Sequence, residues 1–257
     1  NMFGWIKMNK LPFVLVAGLL SMTALGAFAA TQFIKISKKN NQICVESNGI
    51  ADHEVGRFPR KGNPHRIKKQ KIKFCVTANP VKGDQVLMVR TVGIAKNGII
   101  IRPGTADYYD ASSARGHSRD SSSGWNLDGM GPNNTLGLDR ESAHVDNRGL
   151  YHYHGIAPTL AASLSDSRIG WAADGFEIHY VGNSAKPSWM LKRGMRPTAP
   201  GGKYDGSYNE DFEFVSGLGN LDECNGAVSQ GTYKYFATHA YPFFPRCLFG
   251  KNITKFR

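Results

Sequence analysis

Short runs in which apolar and polar residues alternate dominate the chain, and this two-residue period predicts β-strands. Long runs with the 3.6-residue period of an amphipathic helix are absent. Only 157–164, which Pro158 could begin, is expected to form a short helix. The chain is therefore expected to be mainly β, a single domain built as a sandwich or irregular barrel with long loops. The predicted strands include Gln32–Ser37, Gln42–Ser47, Lys71–Ala78, Val86–Ile94 and Phe176–Tyr180.

Two connecting segments stand out between the predicted strands. Asn97-Gly98 lies within the apolar segment 92–101. Such a pair predicts a β-hairpin closed by a type I′ turn, in which both residues have positive φ. The segment 103–137 is rich in Gly, Ser, Asp and Asn. A loop of that length in a compact domain is usually either functional or mobile.

The first 29 residues have the pattern of a signal peptide. Met8 is the natural start, Lys10 is basic, and an apolar run covers 11–25. The small-x-small sequence at 27–29 predicts cleavage after Ala29. A retained anchor is less favoured, because a membrane-spanning helix needs about 20 apolar residues. The β domain is then expected to cover 30–257, and the protein to be periplasmic or secreted.

The chain is basic, with 32 Lys and Arg against 20 Asp and Glu. Between Arg57 and Lys73 it carries eight cations and no acid. This segment could bind an anionic polymer of the cell envelope, although charge runs more often form solvated loops. Nucleic acid is not expected as a partner, because the protein is exported and the segment is poor in aromatic residues for base stacking. A small molecule is the other partner class, and the oligomeric state is not predicted.

Four cysteines in an exported chain predict disulfide bonds. Three pairings are possible, and order along the chain favours Cys44–Cys75 and Cys224–Cys247. Cys44 and Cys75 both lie in predicted strands, which suits a bridge between strands or between sheets. A thiolate metal site is disfavoured, because no two cysteines have CxxC spacing.

Three histidines lie within eleven residues, at His144, His152 and His154. On a strand His152 and His154 point to one face, and Tyr151 and Tyr153 point to the other. The turn residues 146–149 could return the strand of His144 to the side of the histidine strand. Three imidazoles leave a fourth coordination position for water or substrate, as in carbonic anhydrases.

The histidine spacing therefore predicts a site for a divalent transition metal such as zinc or copper. His53 is a further candidate ligand. In the alternative interpretation, His152 and His154 only hydrogen-bond to loop backbone and hold the segment 103–137 in place.

Two acids could assist such a metal site, namely Asp174 and Glu223. Each could orient a ligating imidazole or act as a catalytic base on water. The protein would then be a metal-dependent hydrolase rather than only a metal-binding protein, and whether it is an enzyme stays open. Asp174 could equally be the turn residue of Asp-Gly, and Glu223 a structural carboxylate beside a disulfide. No serine is marked by its local sequence as a nucleophile beside a histidine.

Several segments taken together resemble the bacterial YHYH-domain family, which is named for the motif found here at 151–154. The resemblance implies a secreted or periplasmic bacterial protein, supports the pairing of Cys224 with Cys247, and implies no settled biochemical role. Family members often carry a second tyrosine-histidine motif where this chain has Tyr-Lys-Tyr-Phe at 233–236, and His179 and His239 depart from the family pattern. The segments are 47–53, 62–64, 93–98, 143–145, 149–155, 170–176, 221–226 and 245–247.

Overall fold

The structure is a computed structural model that describes residues 31–133 and 135–256. Strands dominate it, which confirms the mainly β prediction. The predicted signal peptide lies outside the described residues. Among those described, no helix is long and apolar enough to cross a membrane. The strands are β1 Ile34–Lys39, β2 Gln42–Ser47, β3 Ile72–Thr77, β4 Lys82–Met88, β5 Gly93–Ala95, β6 Ile100–Ile101, β7 Tyr108–Tyr109, β8 His117–Ser118, β9 Ala143–Val145, β10 Tyr151–Tyr153, β11 Arg168–Ala172, β12 Glu177–His179, β13 Trp189–Leu191, β14 Phe212–Phe214, β15 Gly226–Ser229, β16 Thr232–Phe236 and β17 Cys247–Gly250.

Helical structure in the described residues is confined to short pieces. Helix α1 covers Pro158–Ala162 and begins at proline, as predicted, because the missing N–H of proline has no partner to lose in the first turn. The other helical pieces are three single 3₁₀ turns, at Ser121–Ser123, Gly182–Ser184 and Asn209–Asp211.

Two larger sheets share one hydrophobic core. Strands β1, β2 and β3 form an antiparallel three-stranded sheet. The eight-stranded sheet has the order β15-β16-β12-β11-β5-β6-β10-β9 and ends at open edges, so it does not close into a barrel. Buried residues of both sheets belong to the same core, among them Phe74 from the small sheet and Ile94 and Tyr153 from the large one. The fold is therefore an irregular layered β domain.

Both disulfide pairings favoured by chain order are present. Cys44 in β2 lies directly opposite Cys75 in β3, and the two are bonded. The second bond joins Cys224, just before β15, to Cys247 at the start of β17. This bond links β17 covalently to the edge of the large sheet.

The hairpin predicted at Asn97-Gly98 forms between β5 and β6, but its turn is not type I′. Only Gly98 has a positive φ, of 83°. The N–H of Gly98 bonds to the carbonyl oxygen of Ala95, so Lys96 and Asn97 are the central residues and glycine takes the left-handed position after them. Asn97 stays on the negative-φ side, where its amide can donate to the Tyr153 hydroxyl at 2.9 Å.

The large sheet consists of two halves related by an approximate two-fold axis. Residues 92–102, with sequence VGIAKNGIIIR, correspond to 169–179, with sequence IGWAADGFEIH. The two halves meet at β5 and β11, where Ile94 opposes its own counterpart Trp171. Each half continues with a parallel partner strand, β10 beside β6 and β16 beside β12, in the same register.

Side-chain hydrogen bonds repeat across the same axis. The hydroxyl of Tyr151 donates to Asp139, and in the second half the hydroxyl of Tyr233 donates to Asp222, each at 2.8 Å. Tyr235 donates to Asp174 where Tyr153 bonds to Asn97. The tyrosines of the motif are therefore framework residues in both halves, whereas the residues between them differ.

Candidate metal centre

The hairpin of β9 and β10 carries the three predicted histidines. His144 in β9 lies directly opposite His152 in β10, as expected from the intervening turn. That turn is closed by Asp146, whose carboxylate accepts the N–H groups of Arg148 and Leu150. His154 follows β10 and projects to the same side as His152. The three ring centroids are 4.7 to 5.0 Å apart.

Each of the three rings uses its Nδ1 atom on a backbone carbonyl oxygen. His144 bonds to Leu136 at 2.9 Å, His152 to Leu150 at 3.1 Å and His154 to Pro103 at 3.0 Å. A carbonyl only accepts, so Nδ1 carries the proton in all three rings. The neutral rings then present the Nε2 lone pair, which is the form that binds metals.

These hydrogen bonds are compatible with both interpretations of the histidines, as metal ligands and as residues that hold the long loop. The carbonyls of Pro103 and Leu136 belong to the two ends of the segment 103–137, so His154 and His144 do hold that segment in place. Because they do so through Nδ1, the opposite nitrogen of each ring remains available. His154 Nε2 is buried and has no hydrogen-bond partner.

The ligand atoms of the three histidines lie within 4.8 Å of one another. In a tetrahedral zinc site with Zn–N bonds of about 2.0–2.1 Å, ligand nitrogens are about 3.3 Å apart. The ligand atoms would therefore have to move up to about 1.5 Å closer to one another to share an ion. Among the described residues this is the group of His, Cys, Asp and Glu side chains that could hold a metal.

The surroundings of the rings keep them neutral. Burial lowers the pKa of His144 and lowers those of His152 and His154 well below the usual value. The charge of Arg102 and the neighbouring rings lower the pKa of His152 further. Neutral rings favour metal binding, because a proton does not have to be displaced from Nε2.

The three histidines line one wall of a pocket of about 470 Å³. The opposite walls come from the segments 62–65 and 104–107, from the end of β8, and from the turn after β9. Two acids and four arginines line the pocket as well. These are Asp107, Asp146, Arg90, Arg102, Arg115 and Arg119.

His53, the fourth predicted ligand, is not part of this cluster. Its Nε2 lies 2.6 Å from the hydroxyl of Tyr153, whose side chain leaves β10 on the face opposite His152. Its Nδ1 bonds to the carbonyl oxygen of Glu54. The structure therefore places His53 in the tyrosine network behind the strand.

The two predicted catalytic acids also lie away from the pocket. Asp174 is buried in the second half, where it accepts hydrogen bonds from the Tyr235 hydroxyl and from the N–H groups of Phe176 and Gly250. Burial raises the pKa of Asp174, and these three donors oppose that effect. Glu223 is half-buried beside the Cys224 disulfide and does not line the pocket. The catalytic role of both acids stays a prediction.

The sequence reasoning missed the residues that accompany the histidines, above all Arg102. Arg102 directly follows β6, and β6 runs parallel to β10, so the arginine arrives level with His154, which is 52 positions later in the chain. Its Nη1 donates to Asp146 at 3.1 Å. In the sequence, Arg102 simply ends an apolar run, and this pattern does not indicate a site residue. Its place at the site depends on a parallel pairing between distant strands, which local spacing does not reveal.

His179, which lies outside the cluster, has side-chain partners that the sequence did not indicate. His179 Nδ1 is 2.7 Å from the Ser167 hydroxyl, and its Nε2 is 2.8 Å from Glu177. This serine-histidine-acid connectivity joins residues 12 positions apart, and no local sequence pattern marks it. Glu177 is also paired with Arg168, and neither Ser167 nor His179 lines the histidine pocket.

The eight cations between Arg57 and Lys73 are all exposed. Their exposure suits both a solvated loop and a surface for an anionic polymer, so polymer binding stays a prediction. Part of the segment, Gly62–His65, lines the histidine pocket.

Gly129 leaves the space that His154 needs. A Cβ atom at this position would lie 2.2 Å from His154 Nδ1. We therefore expect Gly129→Ala to displace the ring from Pro103 and to weaken metal binding about 10- to 100-fold, as loss of other supporting contacts does. Metal titration of the variant measures this. Gly104→Ala, where a Cβ would meet nothing within 4 Å, is the matched control, and equal affinities in both variants would contradict the role of Gly129.

The fold and site together define a disulfide-bonded β domain with a three-histidine cluster in a pocket. The YHYH protein family model matches residues 73–250, and the chain belongs to this family. Neither a curated protein nor a solved structure matches the chain. The match includes the three histidines, Arg102 and both halves of the large sheet.

Proposed function

We propose that this protein binds a divalent transition metal ion through the Nε2 atoms of His144, His152 and His154. The observation that carries the proposal is the common arrangement of the three rings. Each has its Nδ1 committed to a backbone carbonyl, so all three are held as the tautomer that offers Nε2. A fourth coordination position would face the pocket.

The second half of the sheet supports a functional rather than a structural role for the histidines. The counterparts of His144, His152 and His154 are Ala227, Lys234 and Phe236, in the same strand register. The same backbone thus forms without imidazoles. Burying the unpartnered Nε2 of His154 costs stability, and a bound ion would offset that cost.

Three imidazoles without a thiolate or carboxylate are ligands suited to zinc or copper. Zinc accepts a tetrahedral site with one open position. Copper(II) binds imidazole more tightly than zinc in the usual order of affinities, so availability where the protein works would decide between them.

Metal content tests the proposal. Protein purified without an affinity tag would be stripped with a chelator, incubated with equimolar zinc, copper and cobalt, and desalted. Elemental analysis is expected to find one equivalent of total metal per chain. Content below a tenth of an equivalent for every metal would contradict the proposal.

We infer that the protein works outside the cytoplasm of a bacterial cell. The two disulfide bonds support this location, since such bonds persist in oxidising compartments. The signal-peptide pattern of residues 1–29 supports it as well. Fractionation of cells that express the full chain would test it, and recovery with the cytoplasmic fraction would contradict it.

A metal-dependent hydrolase is the second candidate function. The specific observation in its favour is that the three histidines are among the residues that line a pocket of about 470 Å³. A bound ion would supply a Lewis acid that activates water at neutral pH. Asp107 lines the pocket about one-fifth exposed and could orient a water molecule there. Turnover of p-nitrophenyl esters by metal-loaded protein, absent in His152→Ala, tests this candidate.

A further inference from the structure

We propose that the open coordination position takes an oxyanion, a phosphate or carboxylate group, and that Arg102 binds a second oxygen of the same group. The proposal rests on the proposed metal site and names the class of ligand that the site accepts. It identifies Arg102 as a specificity-determining residue rather than a structural one.

Arg102 has unused hydrogen-bonding capacity inside the protein. Its side chain is only 3% exposed. A guanidinium offers five N–H donors, and Asp146 is its acid partner, reached through Nη1 at 3.1 Å. The Nε atom is buried with no partner. A buried guanidinium with unfilled donors beside a pocket is suited to bind an anion, because Arg matches the two-oxygen geometry of carboxylate and phosphate.

The charges of the pocket also require an anion. Four arginines line it against two aspartates. Asp146 is engaged by Arg102 and Arg148, and Asp107 lies 3.5 Å from Nδ1 of His117. A divalent ion on three neutral imidazoles would add two positive charges next to Arg102. Uncompensated charge at a partly buried site is costly, so an anionic fourth ligand is favoured over water alone.

The second half of the sheet provides an internal comparison for Arg102. Its counterpart is His179, and there the histidine positions hold Ala227, Lys234 and Phe236. His179 has both ring nitrogens satisfied, by Ser167 and Glu177. At the position of Arg102, the half without the imidazole cluster thus carries a satisfied imidazole in place of a guanidinium. At these corresponding positions, arginine and histidines occur together in one half, which fits a shared ligand.

The rim of the pocket favours entry of an anion. Arg90, Arg115 and Arg119 are exposed at its edge, and such a set of like charges raises the local concentration of anions. A neighbouring pocket of about 320 Å³ shares Arg90 and Arg102 and adds Arg148 and Lys255. It has room for the remainder of a ligand larger than free phosphate.

Cobalt-loaded full-length protein tests the proposal, because the visible spectrum of Co²⁺ reports changes in its coordination. Inorganic phosphate and sodium acetate would be titrated separately at constant ionic strength, with sodium chloride as the third arm. We expect a saturable spectral change with phosphate or acetate and none with chloride at equal concentration. Tighter binding of one oxyanion would identify the group as phosphate or carboxylate.

Variants of the pocket arginines test whether Arg102 binds the second oxygen of the oxyanion. Arg102→Gln is expected to weaken oxyanion binding at least about tenfold while cobalt stays bound, since a charge-assisted pair is lost. Because Arg102 is buried, Arg90→Gln/Arg119→Gln serves as a second variant at exposed positions, with an expected weakening of about threefold from lost steering. Arg193→Gln, exposed and outside both pockets, is the control and should bind as the wild type does.

The possible failures are distinguishable. A cobalt spectrum that chloride alters as phosphate does, or that no anion alters, would overturn the oxyanion proposal and leave the metal site standing. Equal oxyanion affinity in wild type and Arg102→Gln would overturn the role of Arg102. Absence of a cobalt spectrum in the wild type would overturn the proposed function and this inference with it.

Discussion

His152→Ala is expected to abolish stoichiometric metal binding. His152 is buried, and its ring centroid lies 4.7 Å from that of His144 and 5.0 Å from that of His154. Its removal leaves two imidazoles, and the affinity is expected to fall at least about a thousand-fold, more than the 10- to 100-fold typical of lost outer contacts. Competition titration against a chromogenic chelator measures the affinity directly.

Two further variants make the result specific. His239→Ala removes an exposed histidine outside the cluster and should leave affinity unchanged. His152→Lys installs the residue found at the corresponding position of the second half, so the strand should keep its pairing while metal binding is lost. If His152→Ala and His239→Ala bind metal equally well, the three-histidine site is wrong.

Asp174→Ala is expected to lower the free energy of unfolding by about 4 kcal/mol without changing metal affinity. The substitution leaves the Tyr235 hydroxyl and the N–H groups of Phe176 and Gly250 without their acceptor. Each unsatisfied buried donor costs about 1–3 kcal/mol. Urea unfolding with intact disulfides measures the change.

Asp174→Asn is the matched variant, because Asn97 holds the equivalent place in the first half. Its amide oxygen can still accept, so the loss is expected to be smaller, about 1–2 kcal/mol. A catalytic base at the metal site would behave differently. Unchanged stability with reduced metal binding in Asp174→Ala would show that this acid acts on the histidine cluster after all.

The sequence predicted the histidine hairpin well because every signal for it is local. Side chains alternate between the two faces of a strand, which places His152 and His154 on one face. The short turn at 146–149 then brings His144 opposite His152. The disulfide pairings were likewise favoured by chain order. Local periodicity and short separations are the information that one sequence carries most directly.

Residues that reach the site through distant pairings could not be predicted in the same way. Arg102 is brought beside the histidine strand by the parallel pairing of β6 with β10, which no short-range sequence pattern predicts. His53 and Asp174 carry plausible chemistry in the sequence, yet the fold directs each to a tyrosine hydroxyl. The ring orientations of His154 and His144 also follow from contacts to Pro103 and Leu136, which depend on how a long loop closes over the hairpin.

The internal two-fold relation changes how the motif itself is understood. Its tyrosines have counterparts at Tyr233 and Tyr235 with matching hydrogen bonds, so they build the sheet in both halves. The histidines have no such counterparts. We infer that the tyrosine framework and the histidine site are separable, because the second half has the tyrosine framework without the histidines.

X-ray absorption spectroscopy of the metal-loaded protein at the metal edge tests the central claim most directly. The account predicts three imidazole nitrogens at about 2.0–2.1 Å from zinc, with the outer-shell scattering that imidazole rings produce, and one oxygen ligand. A first shell made only of oxygen atoms, or one that contains a single imidazole, would contradict the three-histidine metal site.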